Sequence, residues 1–136
     1  MMKIQMNKNI EHSTIDGVSF YGKYSPVSRF SISANCNYLN GKTAEDKPLA
    51  HMPPINANLT FNYIIKQYEF EFYCKYNAWK FAVNYDKEGV DNLEEATEDG
   101  NPMWHTLNTH YSCKIDESLV LGIGLENILD VHYKSF

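Results

Sequence analysis

Apolar and polar residues alternate one by one through most of this chain. Such a period of two predicts β-strands with one apolar and one polar face. Six stretches carry the pattern: Thr14–Tyr24, Phe30–Asn40, Asn56–Ile65, Tyr68–Trp79, Trp104–Ile115 and Ser118–Asn127. In the second, Phe30, Ile32, Ala34, Cys36 and Tyr38 oppose Ser31, Ser33, Asn35 and Asn37. In the third, Ala57, Leu59, Phe61, Tyr63 and Ile65 oppose Asn58, Thr60, Asn62 and Ile64. The fifth sets His105, Leu107, Thr109, Tyr111, Cys113 and Ile115 against Thr106, Asn108, His110, Ser112 and Lys114. Each stretch is near the roughly 9–11 residues that a tilted strand needs to cross a bilayer, and longer than most strands of globular proteins.

The connections sort by length. Ser25–Arg29, Lys66–Gln67 and Asp116–Glu117 are short, whereas Gly41–Ile55 and Lys80–Met103 are long. Short turns at one end and long loops at the other are the layout of an outer-membrane barrel. The long loops carry charge, Gly and Pro and read as solvated. Aromatic residues gather near the strand ends. Tyr24, Phe30, Tyr63 and Tyr68 flank short turns, and Tyr38, Tyr76, Trp79, Trp104 and Tyr133 lie toward the long loops. Two aromatic levels predict girdles at two membrane interfaces, made by Tyr24, Tyr38, Tyr63, Tyr68, Tyr76, Trp79 and Trp104.

Composition narrows the field. Of 136 residues, 12 are basic and 17 acidic, a net charge of −5 without a basic block. That excludes the electrostatic footprint of a nucleic-acid binder. Cys36, Cys74 and Cys113 form no close pair and read as small apolar side chains. No apolar run is long enough for a membrane helix, and the first residues have no secretory h-region. Hydropathy alone therefore reads the chain as soluble, but transmembrane strands leave little trace in a hydropathy window.

Two segments point to a family. Leu121–Phe136, LGIGLENILDVHYKSF, resembles the C-terminal signature of TonB-dependent outer-membrane receptors at Gly124, Glu126, Asn127, Asp130 and Tyr133. Gly89–Asn108, with Asn92, Pro102, Trp104 and Asn108, resembles the loop and strand before it. The resemblance implies an all-β fold: an antiparallel up-and-down meander of about six long strands, part of a transmembrane β-barrel and incomplete by itself. The whole chain, residues 1–136, is expected to be a partial barrel, with no signal peptide, plug or closing strand. The implied function is uptake of a scarce substrate across the bacterial outer membrane, such as an iron chelate, cobalamin or a glycan. The implied partners are outer-membrane lipid, the rest of the barrel, the plug, and TonB through that plug.

The polar face is then expected to line the lumen, with Glu69, Glu71, Lys75 and Lys114 placed to pair with a plug. Asn127 and Asp130 are expected to shape the strand end. The acidic run Asp86, Glu88, Asp91, Glu94, Glu95, Glu98 and Asp99 reads as a solvated loop. His12, His51, His105, His110 and His132 show no metal-ligand spacing, and His105 and His110 fall on opposite faces. Gly122 and Gly124 lack the rest of a phosphate loop. No catalytic residue, metal site or cofactor is assigned, and an enzyme is not expected. The alternative is a small soluble β-barrel or sandwich acting as a binding module, with the polar face outward. The product of a broken receptor gene is a further reading, compatible with the first.

Overall fold

The computed structural model describes residues 12–86, 91 and 96–134. Asn92, Glu88, Glu94 and Glu95 lie outside the described residues. The strands are β1 (Ser13–Val27), β2 (Phe30–Thr43), β3 (Asn56–Ile65), β4 (Tyr68–Asn77), β5 (Lys80–Phe81), β6 (Gly100–Asn101), β7 (Trp104–Lys114) and β8 (Val120–Leu125). Six of them form one antiparallel sheet in the order β1-β2-β3-β4-β7-β8. β5 and β6 pair separately as a two-stranded ladder. The all-β, open meander expected from the alternation is the fold observed. Neither a second packed layer nor a β1–β8 closure exists among the described residues, so the sheet is not a closed small barrel or a sandwich.

Register decides what this sheet is. Tyr24 stands opposite Ile32, Phe20 opposite Cys36 and Val18 opposite Tyr38. Ile32 faces Phe61 and Ala34 faces Leu59. Phe61 continues to Phe72, and Leu59 to Cys74. Cys74 continues to Leu107, and Tyr111 to Ile123. Directly paired residues share a face, so the apolar sides of all six strands merge into one surface. That surface is bare. Val18 is 70% exposed, Phe72 55% and Ile123 66%. Burial is inverted: on the opposite, polar face Thr106 and Asn108 are 2% and 3% exposed.

The tight turns have local causes. Lys66 adopts a left-handed φ of 54° in the Lys66–Gln67 turn between β3 and β4. Asp116 accepts hydrogen bonds from the Ser118 amide (2.8 Å), the Ser118 hydroxyl (2.8 Å) and the Leu119 amide (3.0 Å). The Ser118 amide, then its hydroxyl, hold this carboxyl below its ordinary pKa. β1 runs to Val27, past the predicted Tyr24, because its register shifts between Tyr24 and Val27. Pro26 lies within that irregularity, where a missing N–H breaks no regular ladder. β4 ends at Asn77 and not at Trp79, since the chain leaves for β5. β8 ends at Leu125 because Asn127 is left-handed, with φ 52°.

The second long connection is more structured than its composition suggests. Its β5–β6 ladder pairs Lys80 with Asn101 and Phe81 with Gly100. Gly100 has φ +110°, and a Cβ there would collide with the Lys80 carbonyl oxygen. Gly100→Ala should therefore melt this ladder at a local cost of about 1–3 kcal/mol. Hydrogen exchange should rise across 97–101 and stay unchanged in β3 and β4. Unchanged protection at 97–101 would refute the strain argument.

Candidate functional site

Three arrangements on the sheet have enough geometry to carry function: the polar wall, a corner where β8 ends, and a knot between the two long loops. The wall consists of cross-strand rows. Asn37, Asn56 and Asn77 form one row, and Asn35, Asn58 and Lys75 the next. The Asn37 amide donates to Asn56 Oδ1 at 3.0 Å. The Asn62 amide donates to Glu69 Oε1 at 2.5 Å. Lys75 lies 5.4 Å from the Tyr73 ring centroid. Neutral amides and hydroxyls dominate, with Glu69, Glu71 and Lys114 toward the short-turn end.

His110 stands opposite Gly124 on this wall. A Cβ on Gly122 would lie 3.0 Å from His110 Nε2, and one on Gly124 3.5 Å from His110 Cδ2. The two glycines thus give the imidazole room on the β8 backbone. His105 faces Tyr76 on the apolar side. Among the described residues, no three His, Cys, Asp or Glu side chains gather into a metal-binding group.

The corner brings together most of the residues singled out near the C-terminus. Asn108 Oδ1 accepts the Asn127 backbone N–H at 2.8 Å. The Asn108 amide donates to Thr106 Oγ1 (3.1 Å) and the Tyr73 carbonyl oxygen (3.2 Å). Asn127 then clamps Val131 from both sides, accepting its N–H at 3.1 Å and donating to its carbonyl at 3.0 Å. The Ile128 N–H reaches the Leu107 carbonyl, so pairing with β7 resumes beyond Asn127. Asp130 contributes a second left-handed turn, with φ 50°. Glu126 accepts from Tyr73 Oη at 3.4 Å. Tyr133 stacks on Trp104, with centroids 4.2 Å apart. A cavity of about 300 Å³ beside this stack is lined by Pro102, Met103, Trp104, His132 and Tyr133, among others.

Two of the seven aromatic residues stand elsewhere than on the apolar strand face. Tyr24, Tyr38, Tyr63, Tyr68 and Tyr76 stand on the apolar face, by their pairings with Ile32, Val18, Phe70, Ile65 and Ala57. Trp104 does not: it pairs with Asn77, on the polar side. Its regular parity was readable, but its nearness to a strand end outweighed it. Trp79 lies beyond β4, stacks on Phe81 and donates from Nε1 to the Asp99 carbonyl at 3.2 Å.

The knot was missed in the sequence. Lys80 Nζ donates to Asp91 Oδ2 at 3.1 Å and to the Met52 carbonyl at 2.9 Å. Asp91 also accepts the His51 amide at 2.5 Å and the Asp86 amide at 3.3 Å. Tyr85 is buried, with Lys80 Nζ 4.5 Å from its ring centroid. Asp91, expected as one charge of a solvated run, is instead buried. No short-range signal marks the pair, because the Met52 carbonyl and the His51 amide that complete it come from the other loop. Burial opposes the Asp91 carboxylate, but the His51 and Asp86 amides and Lys80 outweigh it and hold its pKa below the ordinary 3.8. Burial pushes the Lys80 amine down, with Asp91 opposing that shift.

Comparisons with known proteins bear on the fold. No protein-family model matches the sequence, and no curated protein matches it. Chains of known structure do match. One, described as copper transporter OprC, superposes with a TM-score of 0.77 at 17% identity, over 90% of this chain. This chain spans 19% of the length of that protein. The sheet therefore shares its fold with a segment of that longer chain.

Two outcomes test the corner and the knot. Asn108→Ala removes the acceptor of the Asn127 amide and should cost about 1–3 kcal/mol. Denaturant unfolding in detergent would measure it, and a loss below about 0.3 kcal/mol would remove Asn108 as the organiser. For Asp91 the folded pKa is depressed, so its stabilisation is full above 3.8 and drains as pH falls through the lower folded value. An NMR titration of its carboxyl carbon should give a midpoint below 3.8, with the Asp86 amide shift following. A midpoint at or above 3.8 contradicts the knot.

Proposed function

We propose that this chain is part of the wall of an outer-membrane transporter of the TonB-dependent receptor type. The observation that carries the reading is the register: it gathers the apolar residues of six long strands onto one exposed face. In a bilayer that face meets hydrocarbon, and the polar face meets a wet lumen. A strand in hydrocarbon has no other partner for its backbone groups, which explains why a span here must be a sheet that closes on further strands. The rest of the barrel would pair with the free edges of β1 and β8, a plug would sit against the Asn-rich wall, and TonB would act through that plug.

Dimensions support the reading. Phe30 and Tyr38 on β2, and Tyr68 and Tyr76 on β4, stand eight residues apart on the apolar face. That spacing is roughly 27 Å along a strand. Tilted by about 40°, it projects to roughly 20 Å, close to the apolar band of an outer-membrane barrel. Short connections join the strands at one end, and residues 44–55 and 78–103 join them at the other. The fold shared with a copper transporter agrees with transport as the activity of the whole protein. The substrate would be a scarce nutrient, such as an iron chelate, cobalamin or a glycan. No chemistry is assigned to the chain itself.

All three cysteines lie on the apolar face, which makes them native probes. Cys36 pairs with Phe20 and Ala57, Cys74 with Leu59 and Leu107, and Cys113 with Tyr68 and Leu121. Nitroxide labels on Cys36 and Cys74 in phospholipid bilayers should relax strongly with oxygen and weakly with a water-soluble nickel chelate. Labels introduced by Ser33→Cys or Thr60→Cys should show the reverse. Equal accessibility on the two faces, or a chain that stays in the aqueous phase, would sink the proposal.

A further inference from the structure

The two long loops are joined to each other by hydrogen bonds. Residues 44–55 first turn back on β2: the Thr43 amide donates to the Lys47 carbonyl at 2.9 Å, and the Leu49 amide to the Gly41 carbonyl at 2.9 Å. Gly41 shares the parity of Asn35, Asn37 and Leu39, so its missing side chain would point from the polar face. A Cβ there would lie 2.6 Å from Met52 Sδ and 3.0 Å from Leu49 Cδ1. The loop therefore leans over the polar face, and Gly41 is the seat that Met52 occupies.

The second loop grips the first at this point. Lys80 holds the Met52 carbonyl, and Asp91 takes the amide of His51, one residue before. His51 has φ 61°, so the loop bends where the second loop binds it. Behind Lys80, the β5–β6 ladder fixes its backbone, and Ala82 donates to the Asp99 carbonyl at 3.0 Å. The Lys80–Asp91 bridge is buried on both sides. Breaking a buried pair by removing one partner is strongly destabilising, because a bare charge is left behind.

We propose that residues 44–55 and 80–86, with Asp91, form one latched cap over the loop-side end of the polar wall, and that the two loops open together or not at all. Independent flapping would strip the buried Lys80–Asp91 pair of the Met52 carbonyl and the His51 amide that complete its hydrogen bonds. Gly41 and the Lys80–Asp91 pair are the two ends of the coupling: one seats the cap on the sheet, and the other binds its halves through the Met52 carbonyl and the His51 amide. This goes beyond the transport reading and holds whichever surface the polar wall faces.

Coupling is reciprocal, so it is tested from both ends. The readout is hydrogen exchange of the full chain in detergent micelles, with β3 and β4 amides reporting an intact sheet. Asp91→Asn sits in the second loop. It should speed exchange at least tenfold at Leu49–Met52 in the first, as well as at 80–86. Gly41→Ala introduces no charge and displaces Met52. It should speed exchange at 80–86, where it makes no contact. If each variant loosens only its own loop, the cap is two independent loops and the proposal is overturned. If Asp91→Asn also unfolds β3 and β4, the Gly41→Ala result alone decides, by the same criterion.

Discussion

Everything in this molecule depends on the alignment of six alternating strands. Each strand alone has an apolar and a polar side, and pairing could mix them. Because side chains repeat every two residues, a slip of one residue would send a strand's apolar set to the wrong face. The turns prevent that slip. A left-handed Lys66 sets the two-residue turn between β3 and β4, and three bonds to Asp116 set the turn into β8. The irregularity between Tyr24 and Val27 absorbs one extra residue of β1 before the first turn. Beyond it, Tyr24 still meets Ile32 and the shared face is kept.

One consequence is that burial and polarity are exchanged. The hydrophobic effect drives apolar surface out of water, yet many large apolar side chains of the sheet, such as Val18, Phe72 and Ile123, are exposed. Among the described residues, the buried side chains are instead Thr106, Asn108, Lys80, Asp91 and Tyr85. All but Asp91 and Tyr85 belong to strands, and all lie toward the loop end. Protein packing is therefore concentrated at one end of the sheet. The remainder needs an apolar medium on one side, which is what the membrane reading supplies.

Much of this was legible in the residues. The strands, the two faces and the sorting of short and long connections follow from period two and turn chemistry, and the sheet confirms their order. Element ends were less legible. Ala78 and Trp79 keep apolar character after β4 has turned away, and Asn127 interrupts β8 where the alternation would carry on. Alternation reports a face only while a strand is regular. Trp104 shows a different limit: two cues, parity and nearness to a loop, pointed to different faces. The knot was illegible for a simpler reason. Lys80 and Asp91 are 11 positions apart and Asp91 and His51 are 40 apart, and a charge in an acidic loop carries no mark of its distant partner.

The corner and the knot solve one physical problem in the same way. Asn127 and His51 are non-glycine residues in left-handed backbone, with φ 52° and 61°. Such a conformation costs roughly 1–2 kcal/mol without compensation. In each case a buried side-chain oxygen from a distant segment accepts the N–H of the strained residue: Asn108 Oδ1 for Asn127, Asp91 Oδ1 for His51. A glycine would relieve the strain locally, but it would not choose a direction for the chain. A buried acceptor does both, since its own bonds fix where the bent segment must lie. Asn108 is held by Thr106 and Tyr73, and Asp91 by Lys80 and Asp86. The strain is thus retained at two places where chain is steered over the polar face, and at both its cost is offset only when the steering contact is made.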